Sequence, residues 1–268
     1  MNLVYPRALA VCALALVAVP AHAQYRPRPV ASTSPAESFH VELGAGFWNA
    51  DADMQIASGA GGSTVDLKQD LGLQDKKFTE FQLVIKPALK HKIRVQLVPI
   101  KFTQTGTPRG PIVFGGQTYP AGTPVDSTLE WKAWRFGYEY DFVSNYRGFA
   151  GTIVDVKYTD VNATLTAGGR VGAASAKAPI PALGGIARIY LASNLSLTGE
   201  LTGFKFPGGW LKSASGHYAD MDFYAMLNFV DALGVRAGYR KFDVEYVKDT
   251  DTGTFKLSGP YLGVSLRF

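Results

Sequence analysis

The nonapeptide WRFGYEYDF, residues 134–142, sorts its side chains strictly by parity. Trp134, Phe136, Tyr138, Tyr140 and Phe142 fall on one set of alternate positions, and Arg135, Gly137, Glu139 and Asp141 on the other. A period of two is the spacing of a β-strand, whose successive side chains point to opposite faces. This strand therefore has one apolar, aromatic face and one charged face. The same division appears on both sides of it. In KFTEFQLVIK (77–86), Thr79, Phe81, Leu83 and Ile85 oppose Glu80, Gln82 and Lys86. In KIRVQL (92–97), Ile93, Val95 and Leu97 oppose Lys92, Arg94 and Gln96. In ADMDFYAMLNF (219–229), Met221, Phe223, Ala225 and Leu227 oppose Asp220, Asp222, Tyr224 and Asn228.

From Phe39 onward the chain repeats this theme in ten segments: 39–57, 77–87, 91–105, 125–143, 149–166, 180–191, 195–206, 218–229, 235–248 and 255–268. Their connections alternate in length. Those at 88–90, 144–148, 192–194 and 230–234 are short. Those at 58–76, 106–124, 167–179 and 207–217 are long and rich in Gly, Pro, Ser and Thr. An up-and-down barrel with both termini on one side of a membrane produces that alternation. The expected fold is an all-β, antiparallel transmembrane barrel of about ten strands, with eight or twelve as alternatives because glycine-rich strand ends blur the count.

A soluble sandwich also alternates, so the period alone does not choose between them. The aromatic residues at the ends of the apolar stripes do, because an interfacial girdle needs them there. So does the N-terminus, where the cationic MNLVYPR precedes the apolar run ALAVCALALVAV and a small-x-small site, Ala21–Ala23. This is the pattern of an export signal, and residues 1–23 are expected to be removed. Residues 24–38, rich in Pro and Ser, read as a flexible periplasmic segment, and 39–268 as the barrel. A lipobox around Cys12 would lack a hydrophobic core before the cysteine. Cys12 is the only cysteine, so the mature chain has no thiol chemistry and no disulfide. Without the signal, Lys+Arg falls from 27 to 26 against 22 acids, a mild excess without a basic run. That excludes the electrostatic footprint of a nucleic-acid binder.

The last strand, with Tyr261, Gly263, Ser265 and Arg267 facing one way and Leu262, Val264, Leu266 and Phe268 the other, resembles the C-terminal recognition strand of Gram-negative outer-membrane barrels. The resemblance implies an outer-membrane location and a β-barrel assembly machinery that reads Leu262, Val264, Leu266 and Phe268. In length the chain is similar to small monomeric barrels such as the outer-membrane protein W-like group, without a group-specific motif. It implies a monomer surrounded by lipid and lipopolysaccharide.

A ten-stranded barrel is narrow, and side chains fill most of it. The residues expected to face inward are Glu80, Lys86, Arg94, Arg135, Glu139, Asp141, Asp155, Lys157, Arg188, Glu200, Asp220, Asp222, Arg236, Arg240 and Arg267. They read as a lumen charge network that plugs and stiffens the barrel, or as the lining of a narrow path for small solutes. His217, followed by Asp220 and Asp222, is the one candidate for a rim hydrolase, loosely similar to the Asp/His sites of the omptin proteases. Its odd number sets it on the face opposite those acids. Asp51 and Asp53, and Asp249 and Asp251, are compatible with calcium-binding outer turns but read as ordinary turns. No metal site, cofactor motif or nucleotide-binding motif is present. Ile112, Val113, Phe114 and Tyr119 in the loop 105–124 would be an exposed apolar cluster for a ligand or lipopolysaccharide, or a hairpin or lid over the mouth. The expected function is non-enzymatic: a structural or surface-interaction barrel acting through its outer loops, with a narrow channel as the alternative and a rim hydrolase as a lesser one.

Overall fold

The computed structural model describes residues 37–57, 63–211, 214–248 and 250–268; the side chains of 206–211, 214 and 248 are not described. Ten long antiparallel strands follow one another around a closed barrel: β1 (Val41–Ala57), β2 (Lys76–Ala88), β3 (His91–Gly106), β4 (Val125–Asn145), β5 (Gly148–Ala167), β6 (Arg170–Ala192), β7 (Leu195–Leu211), β8 (Ala214–Val230), β9 (Leu233–Lys248) and β10 (Asp251–Arg267). Closure is made by β1 on β10, in a register running from Glu42 opposite Arg267 to Ala57 opposite Thr252. The backbone of Phe268 completes the seam, with its N–H on the Val41 carbonyl and its carbonyl taking the His40 and Val41 N–H groups. Pairing the first strand with the last removes the two edges that would otherwise stand unpaired in lipid. The expected signal, residues 1–23, and most of the segment 24–38 lie outside the described residues.

Most strands are longer than a bilayer requires. A tilted strand crosses in about 9–11 residues, whereas β4, β5 and β6 run for 21, 20 and 23. Half of each stands clear of the membrane. The projecting half is the one away from the short turns and the paired termini, which in this fold is the outer side.

Two connections expected as loops are therefore strand. The stretch 167–179 is the β5–β6 hairpin, turned by Gly168 and Gly169 at φ of 55° and 79°, where L-residues with a side chain are strained. The stretch 207–217 carries β7 to Leu211 and starts β8 at Ala214. Both are poor in large apolar residues, so alternation was invisible there. The acids Asp51 and Asp53, expected in or near an outer loop, are outward positions within β1; Asp251 opens β10, and Asp249 lies outside the described residues. The loop 105–124 holds a small hairpin, Ile112–Phe114 against Gln117–Tyr119. Its apolar cluster is not exposed: Ile112, Phe114 and Tyr119 are buried inside the barrel mouth. The Tyr119 hydroxyl donates to the Leu165 carbonyl at 2.7 Å.

One seam is only partly closed. The β6–β7 ladder ends at Leu183 opposite Gly203, although both strands continue outward. Pro179 and Pro181 sit on β6 just beyond that point, opposite Tyr158 and Val156 in an unbroken β5–β6 ladder. Their missing N–H groups are those that would face β7, so the proline pair stops the pairing there.

Candidate functional site

Each strand keeps one parity inward along its whole length, but the chemistry of that face changes partway up. On β3, inward Lys92, Arg94 and Gln96 give way to Val98, Ile100 and Phe102. Outward Ile93, Val95 and Leu97 give way to Lys101 and Thr103. On β4, inward Arg135, Glu139 and Asp141 lie below Trp131 and Leu129, and outward Trp134–Phe142 lie below Lys132 and Glu130. The barrel therefore has two storeys. The lower one is apolar outside and charged inside, as lipid demands. The upper one is charged outside and apolar inside, as water demands.

The lower storey holds a continuous chain of ion pairs. Lys92 meets Glu139 at 2.7 Å and Asp141 at 3.0 Å. Arg94 spans Glu139 at 3.1 Å and Glu200 at 2.8 Å. Arg135 pairs with Glu200 and, at 2.7 Å, with Asp155. Lys157 lies 3.5 Å from Asp155 and 3.0 Å from Asp220. Arg240 bridges Asp220 at 2.8 Å and Glu80 at 2.9 Å, and Arg236 meets Glu80 at 2.6 Å. Near the closing seam Arg267 meets Glu42 at 2.6 Å and Asn228 at 3.0 Å. Asp222 accepts from the Tyr261 hydroxyl at 2.8 Å, and Arg188 donates to the Tyr224 hydroxyl at 2.9 Å. Every ion but the half-buried Asp222 is buried, and each meets an opposite charge or a hydrogen-bonding partner, which is the condition for holding charge out of water. Gly137 makes room for part of it. A Cβ there would come within 2.1 Å of the Asp155 carboxylate.

Of the lumen residues expected from the sequence, all but the half-buried Asp222 are buried. The expected lumen set left out Glu37, Glu42 and Lys92, which complete the network. Lys92 and Glu42 carried a usable signal, since they share the inward parity of Arg94 and of Gly44 and Gly46. Leu262, Val264, Leu266 and Phe268 face outward and are exposed, while Tyr261, Ser265 and Arg267 face inward.

The upper storey is filled by Trp48, Met54, Phe78, Phe102, Trp131, Phe242 and Phe255 from the wall, with Leu67, Leu71, Leu73, Phe114 and Tyr119 folded in from two outer connections. Trp131 sits against Phe242 and Phe255, with ring centroids 4.9 and 5.6 Å apart. Among the described residues, cavities of about 40, 20 and 10 Å3 lie within the lumen. The larger hollows, about 660 and 420 Å3, are furrows that open on the lipid-facing wall, one beside Gly185, Ala187 and Gly199 and the other beside Leu43, Phe81 and Val264.

Between the storeys runs an outward collar of charge. Lys101 meets Glu130 at 2.5 Å and Lys177 meets Asp160 at 3.0 Å, with Lys132 opposite Asp160. Lys256 stands opposite Asp243 and Asp53. His217 belongs to this collar. Its Nε2 is 3.4 Å from Asp243 and its Nδ1 is 3.7 Å from Glu245, both on β9. The structure does not bring it together with Asp220 or Asp222, which face the lumen.

A closed ten-stranded barrel with an apolar belt over a charged interior defines a class, the membrane-spanning β-barrels. No protein-family model matches the chain, and no curated protein does. Among solved structures it is similar to the outer membrane protease OmpT from Escherichia coli at 8% identity, covering 88% of this chain and 98% of that one with a TM-score of 0.57. The attachment invasion locus protein Ail of Yersinia pestis aligns at 8% identity over 85% of this chain and 97% of that one, with a TM-score of 0.39. The Pseudomonas putida toluene transporter TodX aligns at 9% identity over 85% and 90%, with a TM-score of 0.36. The likeness to OmpT shows the fold, that of a Gram-negative outer-membrane β-barrel.

Proposed function

We propose that this barrel is a closed, non-conducting element of the outer membrane that acts by presenting its rigid projecting wall and rim at the cell surface. The observation that carries this reading is the filled lumen among the described residues: ion pairs below, aromatic packing above, and cavities of about 40, 20 and 10 Å3 between them. A void of that size holds at most a few waters, so it offers no solute a continuous route. The collar of Lys101, Lys132, Lys177 and Lys256 is the surface proposed to meet lipopolysaccharide phosphates. Leu262, Val264, Leu266 and Phe268, on the strand that closes the barrel, are proposed as the contact with the assembly machinery. The proposed assembly is a monomer.

The non-enzymatic reading is supported by the place of His217 on the outer wall, half-exposed and away from the lumen carboxylates. Reconstitution in planar bilayers tests the proposal. The purified barrel is expected to be electrically silent. Reproducible unitary conductance steps, scaling with salt, would overturn it in favour of a channel.

A further inference from the structure

Glu37 precedes the first strand, yet its side chain is buried within the lower mouth of the barrel. Its carboxylate is held from three strands. One oxygen is 3.0 Å from Lys86 Nζ of β2 and 3.9 Å from Lys92 Nζ of β3. The other takes hydrogen bonds from Arg188 Nη1 at 2.9 Å and from the Tyr190 hydroxyl at 2.5 Å, both on β6. Lys86 also donates to the Glu37 carbonyl at 2.6 Å. The four donor residues come from the wall, and the acid comes from outside it. Lys92 has Glu139 and Asp141 as partners of its own. Lys86 and Arg188 do not: among the described residues, Glu37 is the one carboxylate within ion-pair distance of either. Phe39 then seals the entry, with Lys86 Nζ 5.3 Å and Arg267 Cζ 4.8 Å from its ring centre.

A wall that buries two cations without supplying their counter-charge has the build of a receptor rather than of a self-sufficient salt bridge, because an unpaired buried charge is strongly unfavourable. The donor set of guanidinium, ammonium and phenol converging on two oxygens is suited to a carboxylate. We infer that Lys86, Arg188 and Tyr190 form a carboxylate-binding pocket at the periplasmic mouth, and that Glu37 fills it as a tethered ligand, clipping the segment before β1 to the barrel. The pocket accepts small monocarboxylates when the clip is removed. Burial opposes ionisation of Glu37, and Lys92, Arg188 and Lys86 outweigh it, holding the carboxyl well below the usual carboxylate range. A cavity of about 20 Å3 lined by Phe39, Lys92, Phe149 and Arg188 borders the site. Removing the Glu37 side chain beyond Cβ enlarges it enough for formate or acetate.

Chemical rescue of the full chain tests the inference. Glu37→Ala is expected to lower the temperature at which the folded barrel loses its heat-modifiable migration in detergent. Sodium formate or acetate is expected to raise it again, saturably, while sodium chloride at equal ionic strength does not. Wild type, with its pocket occupied, is expected not to respond. The double variant Glu37→Ala, Arg188→Leu is expected to lose the response. If Glu37→Ala does not fold unaided, its refolding yield into detergent is read instead, and formate is expected to raise that yield above the chloride control. A response no larger with formate than with chloride, in either readout, or an equal response from wild type, overturns the inference. Loss of the clip leaves the upper storey packed, so this test can fail while the silent-barrel reading stands, and the reverse.

Discussion

The two storeys of this barrel solve opposite solvation problems with one set of strands. Below the collar, lipid outside requires Phe81, Phe136, Phe223 and Leu262 on the wall, and the lumen is left to Arg94, Arg135, Arg240 and their acids. Above it, water outside allows Lys101, Lys132 and Lys256 on the wall, and Phe102, Trp131 and Phe255 fill the interior. The upper storey is an ordinary soluble core rolled into a tube. The lower one is that core turned inside out, and its ions hold one another because neither neighbour is water. The lesson is that β-parity is a property of the fold, whereas which parity is apolar is set by the surrounding medium.

That contrast can be broken most severely from inside the lower storey. Arg240→Leu leaves Asp220 and Glu80 short of a partner, and removing one side of a buried pair costs about 3–5 kcal/mol. The check is urea unfolding of the barrel in detergent or vesicles, where the midpoint is expected to drop sharply. A loss under about 1 kcal/mol would mean that water already reaches the network and that the lumen is wet. Changing the wall rather than the lumen sharpens the boundary. Phe136→Lys, facing lipid, is expected to cost about 2–4 kcal/mol. Lys132→Leu, two positions above it on the same face, is expected to stay within about 0.5 kcal/mol. Folding titrations in vesicles compare the two, and equal costs would erase the boundary drawn between them.

The smallest effect belongs to the rim. Lys68 bridges Asp51 at 2.7 Å and Asp75 at 3.1 Å in open solvent. The hydrogen bond that Lys68 donates to Asp75 holds that carboxyl below its usual value, and the one it donates to Asp51 raises the Lys68 ammonium. A lowered acid contributes stability above its ordinary pKa and loses it as pH falls through the lowered value. A raised base contributes below its ordinary pKa and loses it as pH rises through the raised one. The contribution is thus flat across neutral pH and fades at both extremes. Solvent screening keeps it small, so Lys68→Ala is expected to change stability by no more than about 1 kcal/mol. Thermal midpoints of the variant and wild type at low and high salt read this directly, and a larger or salt-independent loss would count against a screened surface pair.

Much of the lower storey was legible in the sequence, because lipid forces an apolar stripe and WRFGYEYDF or KIRVQL then leaves its charges on the other parity. The upper storey was harder to see. Its strand ends in β6, β7 and β8 carry Ala, Gly, Ser and Pro, which fit a projecting wall but give no hydrophobic contrast, so 167–179 and 207–217 read as loops. The burial of Phe114 and Tyr119 was beyond local pattern as well, since a hairpin looks alike whether it waves in solvent or folds into the mouth. Glu37 was hidden for another reason. It precedes the first alternating segment, in Pro- and Ser-rich surroundings, and its partners are more than 45 residues away on β2, β3 and β6.

The central claim, that one strand face changes medium at the collar, is tested most directly by single cysteines at Lys132 and Phe136 in a chain carrying Cys12→Ser, exposed in intact outer membrane to a charged, membrane-impermeant maleimide. The account predicts rapid labelling of Lys132→Cys, and labelling of Phe136→Cys only after the membrane is dissolved and the barrel unfolded. Equal labelling of both in the intact membrane would contradict it, because Phe136 would then stand in water and the lower storey would have no lipid around it.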